Sequence, residues 1–146
     1  MIVQYGVVAW KQEQDGAPLV LLITSRDTGR WVVPRGNPIA GLSPHLSAAQ
    51  EAWEEAGVRG AVSPDPAGDY AYRKLRRIGG VRARVTLFPL RVEEEHEDWP
   101  ERGQRTRRWF APDEAAAAVL EPDLADLLRG FRPAVDFSGE KTDAAR

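Results

Sequence analysis

GNPIAGLSPHLSAAQEAWEEAGV, residues 36–58, is the stretch on which the reading of this chain turns. Its opening residues, with Arg35 before them, are rich in Gly, Pro and Asn and read as a loop over 35–43. Ser43 followed by Pro44 reads as an N-cap with proline at the first helical position. The helix then runs to about Ala56, where Gly57 suits the C-terminal cap. Glu51, Glu54 and Glu55 are spaced i, i+3, i+4 and so share one helix face. At ~100° per residue, Leu46, Ala49, Trp53 and Ala56 fall opposite, so the helix is expected to pack through its Trp53 side. Three carboxylates on one face are ordinary for a solvated helix, but here they are poorly placed for stability. Glu54 and Glu55 stand in the last turn, where the helix dipole disfavours anions. Glu51 and Glu55 repel at i, i+4. No Lys or Arg lies three or four residues from Glu51, and only Arg59 is placed to relieve Glu55. Such a set needs a counter-charge. Oxygen donors without His or Cys suit Mg²⁺ or Mn²⁺.

Outward from this stretch, residues 2–10 and 18–24 are β-rich runs joined by the polar turn KQEQDGA, a hairpin pattern. Trp31–Val33 is a short strand after the turn Asp27-Thr28-Gly29. Residues 60–73 read as strand interrupted by Pro64-Asp65-Pro66. In 81–92, Val81, Ala83, Val85 and Leu87 alternate with Arg82, Arg84 and Thr86, so one strand face is basic. An acidic loop is expected next, then a strand at 106–110 and short helices at 112–120 and 122–131. The domain is expected to span 1–132, with the polar stretch 133–146 disordered. Mixed strands and helices in this order suggest an α+β or layered α/β domain.

One hundred and forty-six residues suit one compact domain, and 42% apolar residues with five tryptophans can build its core. A formal net charge of -2 argues against a dedicated nucleic-acid binder. The charge is segregated, however. Arg73, Lys74, Arg76, Arg77, Arg82 and Arg84 lie in a stretch without acids, whereas residues 93–101 hold six acids and no Lys or Arg. The absence of cysteine excludes disulfides, thiolate metal sites and a cysteine nucleophile. MIVQYGVVAWKQ lacks the pattern of a signal peptide, and no run approaches the ~20 apolar residues of a membrane span. A cytoplasmic protein with no membrane partner is the expectation.

Residues 36–58 resemble the Nudix box, G-x5-E-x7-R-E-U-x-E-E-x-G-U, where U is a bulky aliphatic. Gly36, Glu51, Glu54, Glu55, Gly57 and Val58 fall at the required positions, and Ala52 stands where an aliphatic is usual. Leu42 replaces the first Glu of the pattern and Gln50 replaces its Arg. In the family these two are read as supporting residues, the Arg orienting the Glu that follows and the first Glu helping to hold the metal shell. TSRDTGRWVVPRG before the box and EDWPERGQRTRRWF after it look like diphosphoinositol-polyphosphate phosphohydrolases. That subfamily and its bacterial relatives include enzymes that cleave dinucleoside polyphosphates. The resemblance covers roughly Val3 to Phe131. It implies the Nudix α/β/α sandwich with a mixed sheet, and pyrophosphohydrolase activity.

Cleaving a phosphoanhydride requires neutralising its non-bridging oxygens and delivering an activated water. By the resemblance, a divalent ion held by Glu51, Glu54, Glu55 and the backbone carbonyl of Gly36 does both. Glu51 and Glu54 are the expected catalytic residues, with Glu51 open between ligand and general base. The family often recruits a downstream carboxylate, for which Glu93, Glu94 and Glu95 are the candidates. A ligand with many phosphates needs converging cations. Arg26, Arg30 and Arg35 flank the strand leading into the box, and Arg82 and Arg84 share a strand face, so these five are the expected substrate-binding set. Arg105, Arg107 and Arg108 precede Trp109. His45 and His96 read as surface residues, and Tyr70 and Tyr72 as core or edge-strand residues. The expected partner is a small polyphosphorylated substrate, and a homodimer is compatible with the sequence. Two other readings are a Nudix-fold binding module with weakened catalysis, supported by Leu42 and Gln50, and an RNA 5′-pyrophosphohydrolase, supported by the basic 73–84 stretch.

Overall fold

The computed structural model describes residues 1–75, 79–133 and 137–142. Arg76 and Arg77 of the basic stretch lie outside them. Two runs of apolar residues explain the centre of the fold. In β1 (Ile2–Gln12), Val7 and Ala9 point to one side of the sheet, and Val8 and Trp10 to the other. Burial on both faces produces an almost continuous apolar run, as expected of a strand covered on both sides. β7 (Gly80–Glu95) behaves likewise, with Val85 and Leu87 on one face and Phe88 and Leu90 on the other.

These two strands run parallel, from Ile2 opposite Ala83 to Trp10 opposite Arg91. The other pairings are antiparallel. β2 (Pro18–Thr24) joins the far end of β1, and β3 (Trp31–Val32) and β8 (Arg107–Phe110) join β2. β4 (Arg35–Gly36) lies against Tyr5 and Gly6 of β1. β5 (Val58–Val62) and β6 (Gly68–Leu75) pair with successive parts of β7. The sheet is therefore mixed.

Helix α1 (Pro44–Ala56) covers one face through Ala48, Ala49, Ala52 and Ala56, against Val7, Leu21, Ile23, Val58 and Leu90. Helices α2 (Pro112–Ala118) and α3 (Pro122–Arg129) cover the other, with Leu124, Leu128 and Phe131 on Trp10, Val85 and Leu87. This is the expected α/β/α sandwich. Among the described residues no helix is long and apolar enough to cross a membrane.

Three expectations change. The face of α1 that packs is the alanine face, because small side chains let the helix approach the sheet closely. Trp53 is only half-buried at the edge, between the Arg59 guanidinium at 4.1 Å and the His96 ring at 5.0 Å. Glu93, Glu94 and Glu95 are not in a loop but end β7, kept extended by the pairing of Glu94 and Glu95 with Arg59 and Val58. Finally, part of the stretch expected to be disordered is ordered. β9 (Glu140–Lys141) adds to the free edge of β5, and Phe137 meets the Trp10 ring edge-on at 5.4 Å. A polar composition hides an open strand edge and one aromatic anchor.

Candidate active site

Gly57 takes the left-handed conformation, φ 70°, and ends α1 as the sequence indicates. The last two turns of the helix lie against β4, which carries Gly36. There the carboxylate of Glu51 lies directly on Gly36, and a Cβ at that position would overlap it. Glycine is required at 36 because the helix carboxylate fills the space. Glu55, one turn further, accepts the Arg35 backbone N–H at 3.1 Å and forms an ion pair with Arg105 at 3.4 Å. Glu54 accepts from the Gln50 side-chain amide at 2.9 Å. Gln50 thus reaches the glutamate four residues on, a neutral donor at the place where the family pattern has arginine. Leu42 lies elsewhere, lining a small separate cavity with Leu46, Ala49 and Thr142.

The three glutamates border a cleft of ≈310 Å³ whose other walls include Gln4, Arg26, Asn37, Tyr72, Lys74 and Arg105. Arg105 is its electrostatic hinge. It donates to Glu101 at 2.8 Å, pairs with Glu55, and is fixed to the Thr24 carbonyl at 3.2 Å. Glu101 also donates its backbone N–H to the Glu54 carbonyl at 3.0 Å, which ties its loop to α1. Acids still crowd the site. Burial, then the charges of Glu54 and Glu101, pushes Glu51 up to about 7. Burial pushes Glu55 up to about 7 as well, against the opposing pull of Arg105 and the Arg35 N–H.

These donors fit a hard divalent cation in kind: carboxylates and a carbonyl, without nitrogen or sulfur. Burial is the first cause of the raised values of Glu51 and Glu55, and a cation would offset the cost of ionising them there. The donors are not gathered for it, since among the described residues no three His, Asp or Glu side chains converge as a ready-made group.

Of the five arginines expected on the substrate, two line the cleft. Arg26 reaches across to Gln104 at 3.2 Å. Arg35 lies over the Tyr72 ring at 4.0 Å and donates to the Tyr70 hydroxyl at 3.2 Å. Arg30 instead forms a two-pronged pair with Glu121, at 2.7 and 3.3 Å. Arg82 and Arg84 face away, because Arg82 pairs with Arg73 and Arg84 with Ala71, whereas the cleft residue Tyr72 is opposite inward-facing Ala83. Arg84 is paired with Asp69 at 2.9 Å. Alternation identified their shared face but not which side of the sheet it was.

The downstream acids also differ from expectation. Glu93 meets Arg91 and Lys141, Glu94 meets His96, and Glu95 meets Lys11 and the Trp109 indole, all outside the cleft. Glu101 is the downstream carboxylate in the cleft. It stands in the six-acid run, and its signal was Arg105 four residues on. Arg105 is a cation paired with Glu55 that lies fifty residues away in sequence. Arg107 caps α1, donating to the Ala56 carbonyl at 2.8 Å while covering the Trp99 ring. His45 and His96 are half-buried beside Glu140 and Glu94 rather than free on the surface. Tyr70 is core and Tyr72 lines the cleft.

Comparison with known proteins shows the family. Residues 3–131 match the NUDIX domain family. Diphosphoinositol polyphosphate phosphohydrolase 3-alpha of Mus musculus is 33% identical over 125 residues, covering 78% of this chain and 68% of that protein. Nudix hydrolase 12, mitochondrial, of Arabidopsis thaliana is 36% identical over 102 residues, 66% of this chain and 49% of its own length. The chain thus spans about half to two thirds of these relatives. In structure, the C. elegans Ap4A hydrolase superposes with a TM-score of 0.61 at 18% identity, over 88% of this chain and 94% of that one. The E. coli dihydroneopterin triphosphate pyrophosphohydrolase gives 0.66 at 17%, over 88% and 93%. With its glutamate-bearing helix set on Gly36 and its sequence matched almost end to end, the chain belongs to the Nudix family.

Proposed function

We propose that this protein hydrolyses a phosphoanhydride bond in a polyphosphorylated metabolite, a diphosphoinositol polyphosphate or a dinucleoside polyphosphate, using Mg²⁺ with Mn²⁺ as a substitute, in the cytoplasm. One observation carries the reading: Glu51, Glu54 and Glu55 line a single cleft together with Arg26, Arg35, Lys74 and Arg105. Acids and cations lining one cleft suit a substrate that brings phosphates to a cation site. The mouse relative's name and the Ap4A hydrolase fold support the two substrate classes.

A divalent ion bound there supplies charge neutralisation at the phosphate oxygens and a lowered pKa for water. Glu54 and Glu55 would hold it together with the Gly36 carbonyl. Glu51, half-buried and beside Gly36, would serve as a further ligand or as general base. Gln50 holds Glu54 in place. Arg26, Arg35 and Lys74 bind the phosphates that are not cleaved.

The test is an activity screen of the purified chain over pyrophosphate-containing metabolites with Mg²⁺ and with Mn²⁺. Turnover of polyphosphorylated inositols or dinucleotides ahead of ATP and dGTP is expected. Preference for ATP or dGTP overturns the substrate class. No turnover of any pyrophosphate compound overturns the enzyme reading in favour of a binding module.

A further inference from the structure

One wall of the cleft carries a chain of hydrogen bonds that the reaction as described does not use. The Tyr72 hydroxyl donates to Gln4 Oε1 at 2.7 Å, and Gln4 Nε2 donates to Asn37 Oδ1 at 3.1 Å. Gln4 is a buried polar residue, only 4% exposed, on β1. Asn37 follows Gly36 directly and is exposed at the cleft.

The direction of the chain matters. An Asn side chain has one acceptor oxygen and one amide with two donor hydrogens, and its neighbours decide which way it points. The Tyr72 proton goes to Gln4 Oε1, so the other end of the Gln4 amide, with its Nε2 hydrogens, is the end that meets Asn37. These fix Asn37 Oδ1 inward. Asn37 Nδ2 is then turned to the cleft, and among the described residues nothing accepts from it. Tyr72 is itself held from above by the Arg35 guanidinium at 4.0 Å. A buried glutamine between a fixed tyrosine and an exposed asparagine is a costly way to build a wall, and an economical way to aim an amide.

We infer that Asn37 is a substrate-binding residue whose Nδ2 hydrogens donate to a non-bridging phosphate oxygen, and that Gln4 is a positioning residue that sets its orientation. This rests on the phosphoanhydride reading above. It adds a neutral donor next to Gly36, on the same wall as Arg35 and Lys74. Such a donor binds phosphate without adding positive charge that would repel a cation at the glutamates.

The experiment uses the full chain with Mg²⁺ and diadenosine tetraphosphate as substrate, together with the melting-temperature shift produced by imidodiphosphate. Asn37→Asp keeps the shape and the acceptor for Gln4 but replaces the donor by an anion. It is expected to raise KM at least about tenfold, with kcat changed less than about threefold. Asn37→Ala is expected to raise KM less than Asn37→Asp does, because it removes a donor without adding repulsion. Both variants shrink the imidodiphosphate shift, Asn37→Asp the more. Gln4→Leu raises KM in the parent but not in the Asn37→Ala background, since it acts only through Asn37. An active parent whose KM and imidodiphosphate shift are the same in Asn37→Asp as in Asn37→Ala overturns the donor role. Equal effects of Gln4→Leu in both backgrounds overturn the positioning role. A parent inactive on diadenosine tetraphosphate and unshifted by imidodiphosphate fails at the phosphoanhydride reading itself, and this inference falls with it.

Discussion

At the scale of single residues, the behaviour of the site is set by how each glutamate of α1 is held. Glu54 is oriented by Gln50, and Glu55 by Arg105 and a backbone N–H. Replacing either by Gln keeps the size and removes a ligand charge, so Glu54→Gln and Glu55→Gln should each lower turnover by at least ~10²-fold. Near-normal rates in both would show the chemistry to lie elsewhere. Arg105 is the complementary case. Its side chain and that of Glu55 are only 9% and 12% exposed, so Arg105→Met strands a buried carboxylate. Breaking such a pair costs about 3–5 kcal/mol when the remaining group stays charged. Protonating Glu55 removes that charge. Urea unfolding of Arg105→Met should therefore show a larger deficit at pH 8 than at pH 5.5, and equal deficits would mean that Arg105 acts through Glu101, Thr24 and packing rather than through the charge of Glu55.

At the scale of elements, α1 and its caps were legible in the sequence, because Ser43-Pro44 and Gly57 punctuate it and the glutamate spacing fixes a face. The cleft's acidic wall followed from that. Its cationic wall was only partly legible: Arg26 and Arg35 adjoin the box in sequence, but Arg30, Arg82 and Arg84 share only their charge with them. Which side of a sheet a strand residue faces depends on partners far away in sequence, and no local pattern encodes it. Gln4 and Asn37 were invisible for the same reason, being 33 residues apart and joined only by β1 lying beside the box loop. The C-terminal strand was missed because its order comes from β5. Truncation after Pro133 removes β9 and Phe137, whose ring packs on Trp10 and under Arg91. The expected cost is about 1–3 kcal/mol, seen as a lower urea midpoint. An unchanged midpoint would make this edge pairing incidental.

Across the whole molecule, the acidic cluster couples stability to pH. Glu51 and Glu55 titrate near 7 in the folded chain, above the ordinary carboxylate value of 4.5. The folded state therefore holds protons that the unfolded state has released between pH 4.5 and about 7. Their contribution is fully present below 4.5 and is lost as the pH rises through about 7. With a chelator present, the melting temperature should fall from pH 5.5 to pH 8, and Glu51→Gln with Glu55→Gln should flatten that fall. Millimolar Mg²⁺ should restore the parent at pH 8, because an ion binding only the folded state stabilises by RT ln(1 + [L]/Kd). A flat profile in the parent, or no response to Mg²⁺, counts against the cluster as a cation site.

The long parallel seam between β1 and β7 has a consequence for how the chain comes to be folded. Ile2 finds its partner at Ala83, so the first strand waits about eighty residues for the neighbour that completes its sheet, and closing so wide a loop is slow. During synthesis α1 emerges after β1 and β2 but before β5 and β7, which complete the platform it rests on. Its alanine face then lacks Val58 and Leu90, and its glutamates lack Arg105. Folding should pass through a late, rate-limiting docking of β7, and substitutions at Val85 or Leu87 that weaken the seam should slow refolding as well as speed unfolding. Activity in a refolding experiment should appear only with that last phase, because Gly36 and α1 are brought together by the strands it locks.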